Sequence, residues 1–241
     1  MSHYPQRAKR AQGRRGDLVA GKLTRDIRFT SPICTPAEAA ILAGMPAGTV
    51  RSWVRPTATR GAIVHSIEPE RVGWPSLPLV GVIETWSMRA LRRSGVPMQK
   101  LRRVAESLQA ETGDPYVLAR PVLFTDGIDL YRRERGDLFR VEDGQQPIEE
   151  VIEDYLSRVE LDPAQDPTAF RVPLTEGVAL VMDPSFNAGR PTFERTRTAA
   201  FAVLGSLEAG DAPAIVAHDY GLTAEEVSAV EHRKDWLAEF A

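Results

Sequence analysis

A chain of 241 residues with 43% apolar and 26% charged side chains has the makings of one large or two small soluble domains. No apolar run reaches membrane-spanning length, and the polar, basic start Met1–Arg15 has no signal-peptide apolar core, so a cytoplasmic protein that avoids membranes is expected. The single cysteine, Cys34, excludes an internal disulfide and a cysteine-based zinc cluster. His3, His65, His218 and His232 show no metal-ligand spacing, so no metal or other cofactor is expected.

The net charge of −3 hides a gradient: residues 1–60 carry +8, residues 61–140 carry +2 and residues 141–241 carry −13. A basic start suits DNA, because each phosphate contact releases condensed counterions. An acidic end repels DNA and suits a basic partner.

Residues 1–30 read as a basic arm. Arg7, Lys9, Arg10, Arg14, Arg15, Lys22, Arg25 and Arg28 stand among few apolar residues. That is the composition of a disordered tail, and equally of an arm that adds phosphate contacts.

The segment Thr35–Arg55 predicts a helix-turn-helix. Thr35, Pro36 and Glu38 supply a capping box and a first-turn proline. Ala40 is small where two helices cross, and Gly44 permits a left-handed turn. Val50 and Trp53 pack the second helix onto the first. Thr49, Arg51, Ser52 and Arg55 then fall on its exposed side. Arg51 and Ser52 are the candidates for base edges; Thr49, Arg55 and Arg60 are candidates for phosphates. Pro46-Ala47-Gly48 offers no donors at the start of the reading helix, so one copy predicts modest specificity and a dimer on two half-sites. Ala62–Ile67 reads as a β-like run suited to a wing. Trp53-Val54-Arg55 resembles the excisionase and MerR-type winged helix-turn-helix group, which implies a DNA-binding domain over residues 31–115.

Leu77–Arg93 and Pro97–Thr112 predict two helices joined by Ser94-Gly95-Val96. Leu101, Val104, Ala105 and Leu108 form one stripe of the second, with Lys100, Arg102 and Arg103 largely off it. Residues 116–178 read as a region of hairpins and linker. Val122–Thr125, Ile128–Tyr131 and Leu138–Val141 are β-prone, with a turn at Asp126-Gly127. Pro147–Arg158 reads as helical, and Phe170–Leu174 and Ala179–Met182 as a hairpin about Thr175-Glu176-Gly177. No phosphate loop and no set of nucleophile, base or metal ligands appears at the required spacing, so no enzyme is expected.

Ala214–Val230 repeats the first motif: Ala217, Gly221 and Val227 match Ala40, Gly44 and Val50, and Thr223 with Glu226 makes a second capping box. Its second helix exposes Glu225, Glu226, Ser228 and Glu231 with no base before Arg233. Carboxylates would repel phosphates, so this unit predicts dimerisation or partner docking. The class expected is therefore α+β and mainly helical. It has a winged helix-turn-helix first, middle helices and short hairpins next, and a small helical bundle with the second unit over residues 179–241.

Asp183-Pro184, Gly189-Arg190-Pro191, Thr196-Arg197-Thr198, Ala209-Gly210-Asp211 and Tyr220-Gly221-Leu222 follow one another in order. Over Val181–Trp236 they resemble a small uncharacterised-domain family that supplies antitoxins to PIN-domain ribonucleases. With the upstream helix-turn-helix, the chain resembles the longer VapB-type antitoxins. Arg195 stands where that pattern has glycine, which puts the preceding turn in question. The resemblance implies an antitoxin that silences a cognate PIN-domain toxin and, with it, represses its own operon. An acidic surface that mimics RNA charge is one route to neutralisation. An arginine placed in the toxin's acidic site is another, with Arg190, Arg195 and Arg197 as candidates. Trp236 and Phe240, with Leu237, either anchor that partner or pack inside the C-terminal bundle. The rival is a stand-alone MerR-like regulator with a ligand-sensing C-terminal domain.

Overall fold

The computed structural model describes residues 26–58, 60–123 and 148–240. The arm before Asp26, the Asp126-Gly127 turn and the runs Ile128–Tyr131 and Leu138–Val141 lie outside the described residues. The described chain is α+β and mainly helical, as the sequence predicts.

The first elements are a single turn, α1 (Ile27–Thr30), and the helix pair α2 (Pro36–Leu42) and α3 (Ala47–Val54). The Asp26 carboxylate accepts the Arg28 amide at 3.0 Å and holds its guanidinium at 2.6 Å. Cys34 and Leu77 form a lone antiparallel bridge that brings the chain back to the centre.

There α4 (Leu79–Arg93) begins after Pro78, which has no amide to continue a helix backwards. Every residue from Leu79 to Met88 is buried, so this is a core helix rather than the surface helix a one-sided stripe would give. α5 (Met98–Thr112) is amphipathic as predicted, burying Leu101, Val104, Ala105 and Leu108 and ending at Gly113 in the left-handed region. Val122, expected in a strand, lies in the second of two 3-10 turns, Val117–Ala119 and Pro121–Leu123.

α6 (Ile148–Arg158) runs straight into β1 (Val159–Leu161). Then come β2 (Pro167–Thr175), β3 (Val178–Met182), β4 (Thr192–Phe193) and β5 (Thr198–Ala199), an antiparallel meander in chain order. The expected hairpin is β2–β3: Phe170 pairs with Met182 and Val172 with Leu180 across a Glu176-Gly177 turn. α7 (Ala200–Glu208), α8 (Pro213–Tyr220), α9 (Ala224–His232) and α10 (Lys234–Ala238) close the chain.

One continuous apolar cluster joins these parts, from Phe29 and the α2–α3 pair through α4 to the sheet and Leu237. Trp86 of α4 meets Phe170 of β2 at 5.7 Å between ring centroids. Two arginines from the N-terminal half hold the β1–β2 turn. Arg28 reaches Asp162 at 3.0 Å, and Arg120 pairs with Asp166 as well as with Asp114. The Tyr155 hydroxyl donates to the Ala119 carbonyl at 2.8 Å inside the core.

The run 62–67 does not form the expected wing strand. Among the described residues the bridge beside it pairs Thr57 with Arg60. Its backbone is spent elsewhere. The amides of Ile63 and Val64 donate to the Trp53 carbonyl at 2.8 and 3.2 Å, satisfying a group that the end of α3 leaves open. The next amide, of His65, donates to the Glu84 carboxylate of α4 at 2.5 Å. Residues 63–65 thus brace the end of α3 against the core helix.

Candidate nucleic-acid and partner interfaces

The α2–α3 pair has the geometry its sequence predicts. Thr35 Oγ1 accepts the Glu38 amide at 3.1 Å, and the Thr35 amide donates to Glu38 Oε2 at 2.6 Å. Gly44 turns the chain at φ 56°, a conformation that costs a side-chain-bearing residue, and the Met45 amide returns to the Ala40 carbonyl at 2.8 Å. Ala40, Val50 and Trp53 are buried between the helices.

That packing leaves Arg51, Ser52 and Arg55 exposed and Thr49 half-exposed along α3, with Arg60 exposed on the turn after it. Ser52 donates its hydroxyl to the Thr49 carbonyl at 2.7 Å, so only its lone pairs face outward. Arg51 and Arg55 are thereby the long donors on this face. They line a cleft of about 950 Å³ shared with residues 62–69 and floored by Glu84. On the other flank Thr49 lines a second cleft of about 620 Å³, whose far wall is Arg89, Arg92 and Arg93 at the end of α4. Reading the sequence missed these three. Their signal is the Arg92-Arg93 pair in the last turn of a helix that follows the reading helix. Of the cations that reading weighed, Arg102 donates to the Gly61 carbonyl at 3.0 Å.

The α8–α9 pair repeats the skeleton. Gly221 sits at φ 64°, and the Leu222 amide reaches the Ala217 carbonyl at 2.8 Å. Thr223 and Glu226 form the second capping box. Glu225 and Glu231 are exposed and Glu226 is half-buried, so the outward face of α9 is acidic.

The five C-terminal candidates do not lie on one surface. Arg190 binds Glu38 Oε1 at 2.5 Å and the Phe240 carbonyl at 3.0 Å. Arg195 binds Glu226 Oε2 at 2.8 Å while 57% of its side chain stays exposed. Each therefore grips the capping-box glutamate of one helix pair. Arg197 is exposed, at φ 55°, with its guanidinium 5.2 Å from the Phe186 ring. The left-handed position of the β4–β5 turn thus falls on Arg197 and not on Arg195, and Asn187 Nδ2 holds the Arg197 carbonyl at 2.7 Å. Phe240 is buried and packs on half-buried Trp236 at 4.8 Å. Phe240 therefore presents no surface anchor in this fold. Arg190→Met is expected to cost about 1–2 kcal/mol in thermal unfolding, because Glu38 keeps its cap but loses its cation at a site about one-third open to water.

Among the described residues no group of three or more His, Cys, Asp or Glu is placed to hold a metal. Cys34 is buried, and burial pushes its thiol up, away from the reactive thiolate. No helix of the described chain is long and apolar enough to cross a membrane.

Residues 32–105, which span the α2–α3 pair and the Arg89–Arg93 cleft, match a family described as "Putative DNA-binding HTH domain". Residues 180–231 match a family described as a protein of unknown function, DUF433. Over 231 residues the chain is 31% identical to "Putative antitoxin VapB45" of Mycobacterium tuberculosis, covering 87% of this chain and 96% of that protein. The chain belongs to the VapB45 antitoxin family. A second relative in the same organism, the uncharacterised protein Rv2308, is 26% identical and shares 83% of this chain and 89% of its own. The crystal structure of Rv2018 from that organism superposes with a TM-score of 0.68 at 29% identity, covering 84% of this chain and 99% of Rv2018. The VapB45-like chain is thus matched along both halves, helix-turn-helix and DUF433 segment together.

Proposed function

We propose that this chain is an antitoxin that binds and neutralises a cognate PIN-domain ribonuclease. We further propose that, as a cytoplasmic homodimer, it binds operator DNA through α2–α3 to repress its own operon. The observation that carries the reading is the likeness to the VapB45 antitoxin over nearly the full length of that protein. The charge gradient supports it: the helix-turn-helix lies in the basic part, and the acidic face of α9 lies in the part of net −13.

On the DNA side, Arg51 is the base reader, with Ser52 accepting at its edge, and Thr49, Arg55 and Arg60 position the backbone. On the toxin side, the surface candidates are Arg195, Arg197 and Trp236. Arg190 acts from inside by fixing α2 to the C-terminal end.

The test is co-expression with a PIN-domain protein found encoded in the same operon. The intact chain should restore growth, and Arg195→Ala/Arg197→Ala/Trp236→Ala should weaken the pull-down of the toxin at least tenfold. Growth arrest that persists with the intact chain, folded and abundant, removes the antitoxin reading. In a gel shift on the operon's own promoter, Arg51→Ala should weaken binding roughly tenfold, the scale of one lost bidentate base contact.

A further inference from the structure

We propose that the arginine-lined cleft between α3 and the end of α4 is a docking surface for the sugar-phosphate backbone of duplex DNA, with Arg92 and Arg93 each contacting a phosphate. The inference rests on the helix-turn-helix reading and names the part of the surface that holds the duplex in place.

The cleft is continuous with that helix pair. Gly44 and Met45 of its turn and Thr49 and Trp53 of α3 form one wall, and Arg89, Arg92, Arg93 and Met98 form the other. A duplex laid against the outward face of α3 has a backbone strand beside the turn, where Thr49 already faces. Arg92 and Arg93 are exposed at the end of α4. Among the described residues no carboxylate lies within 4 Å of the Arg89, Arg92 or Arg93 guanidinium, and Asp154 acts on Arg89 only through space. Arg92 donates to the Val96 carbonyl at 3.1 Å, which aims the guanidinium without neutralising it. Like charges are also gathered rather than dispersed. Arg89 has its basicity lowered by burial first and then by Arg93, with Asp154 pulling the other way and Arg158 adding to the fall, and its guanidinium lies 4.5 Å from the Trp86 ring. A cluster of cations that outnumbers its carboxylates repels itself until an anion arrives. The neighbouring carboxylate, Asp154, is engaged with Arg158 at 2.8 Å.

The cleft also supplies what α3 lacks. That helix carries two long cations on its outward face, and Ser52 spends its donor internally. A helix-turn-helix usually makes half or more of its contacts to phosphate and sugar, and the end of α4 is the nearest source of them on this flank.

The experiment is fluorescence anisotropy of a labelled mixed-sequence DNA duplex with the full chain over a series of KCl concentrations. The Arg92→Ala/Arg93→Ala variant is compared with wild type, Arg92→Lys/Arg93→Lys and Arg51→Ala. The double alanine variant should lose about 1.8 from the slope of log affinity against log salt and bind roughly ten- to thirtyfold more weakly near 0.15 M salt. Its thermal unfolding should be unchanged, and the lysine pair should restore the slope. Arg51→Ala should alter preference for the promoter sequence while leaving most of the salt slope. If wild type binds the duplex and the double alanine variant keeps its slope, the cleft is not a phosphate site, although the helix-turn-helix reading stands. A double alanine variant that keeps DNA binding but loses the toxin in a pull-down assigns the cleft to the toxin and overturns the proposal. If wild type binds no duplex even at low salt, the helix-turn-helix reading falls, and the proposal falls with it.

Discussion

Gly81→Ala is expected to lower the free energy of unfolding by about 2–4 kcal/mol, although alanine is favoured over glycine inside a helix by about 1 kcal/mol. The reason is the brace. At Gly81 the buried helix α4 touches the backbone of residue 65, and an added Cβ would press into the His65 carbonyl oxygen, a backbone atom that cannot rotate away. The same residue donates its amide to Glu84 one turn further on. Pushing residue 65 off the helix therefore costs overpacking and also strips a buried carboxyl of its donor, which is worth about 1–3 kcal/mol by itself. The disturbance continues through Ile63 and Val64 to the Trp53 carbonyl at the end of α3, so DNA affinity should fall with stability. Gly205 of α7 is the control, because a Cβ there meets no atom within 4 Å. Gly205→Ala should be neutral or stabilise by up to about 1 kcal/mol. Urea unfolding of the two variants against wild type decides it; a Gly81→Ala chain as stable as wild type would show that the brace yields freely.

The brace also marks where sequence reading reached its limit. Local patterns that a single element satisfies were legible. The Thr35–Glu38 and Thr223–Glu226 boxes, the turns at Gly44 and Gly221, the stripe Leu101–Leu108 and the β2–β3 hairpin all depend on neighbours a few residues apart. The run 62–67 has a strand-like apolar character, yet its amides found the end of one helix and a side chain of another, and no local signal announces such partners. β4 and β5 are two residues each, too short for alternation to show; they exist because the sheet already presents β3.

The candidate sites divide along the same line. Which α3 residues face outward follows from the helical period and from Val50 and Trp53, so Thr49, Arg51, Ser52 and Arg55 could be named from sequence. Arg190 reads as a free arginine in a family motif, but its partner Glu38 is 152 residues away. The Arg89–Arg93 wall was missed for a related reason. Its meaning comes from lying across a cleft from Thr49, a juxtaposition made by the crossing of α4 and α3. The two capping-box glutamates gripped by Arg190 and Arg195 add a further consequence. Both helix-turn-helix-like units are fastened to the same stretch, residues 190–195, so a partner that pulls on this stretch is coupled to the helix start of the DNA-binding unit.

Glu84→Gln is expected to raise stability most at alkaline pH and to flatten its pH dependence. Glu84 is 2% exposed in the buried helix α4. Burial pushes its carboxyl up to about 8; the His65 amide pulls it down and Asp114 adds to the rise. Facing it are His65, whose own basicity burial lowers, Tyr116 and Asp114, the last already paired with Arg120. Unfolded, the group ionises near 4.5, so between 4.5 and about 8 the folded chain holds a proton that the unfolded chain has released. Stability tied to this proton is complete below 4.5 and is lost as pH rises toward 8, at a rate of up to about 1.4 kcal/mol per pH unit. Glutamine keeps an acceptor for the His65 amide and has nothing to titrate. At pH 8 the variant should be more stable than wild type by up to about 4 kcal/mol, which is on the order of 10 °C in Tm for a chain of this size. At pH 5 the two should converge to within about 1 kcal/mol, because the protonated acid and the amide have nearly the same shape and differ in one donor. Melting curves taken across pH 5 to 8 at constant ionic strength make the comparison. Parallel curves for variant and wild type would mean that Glu84 is ionised and solvated in the folded chain, and that the cleft beside α3 reaches it with water.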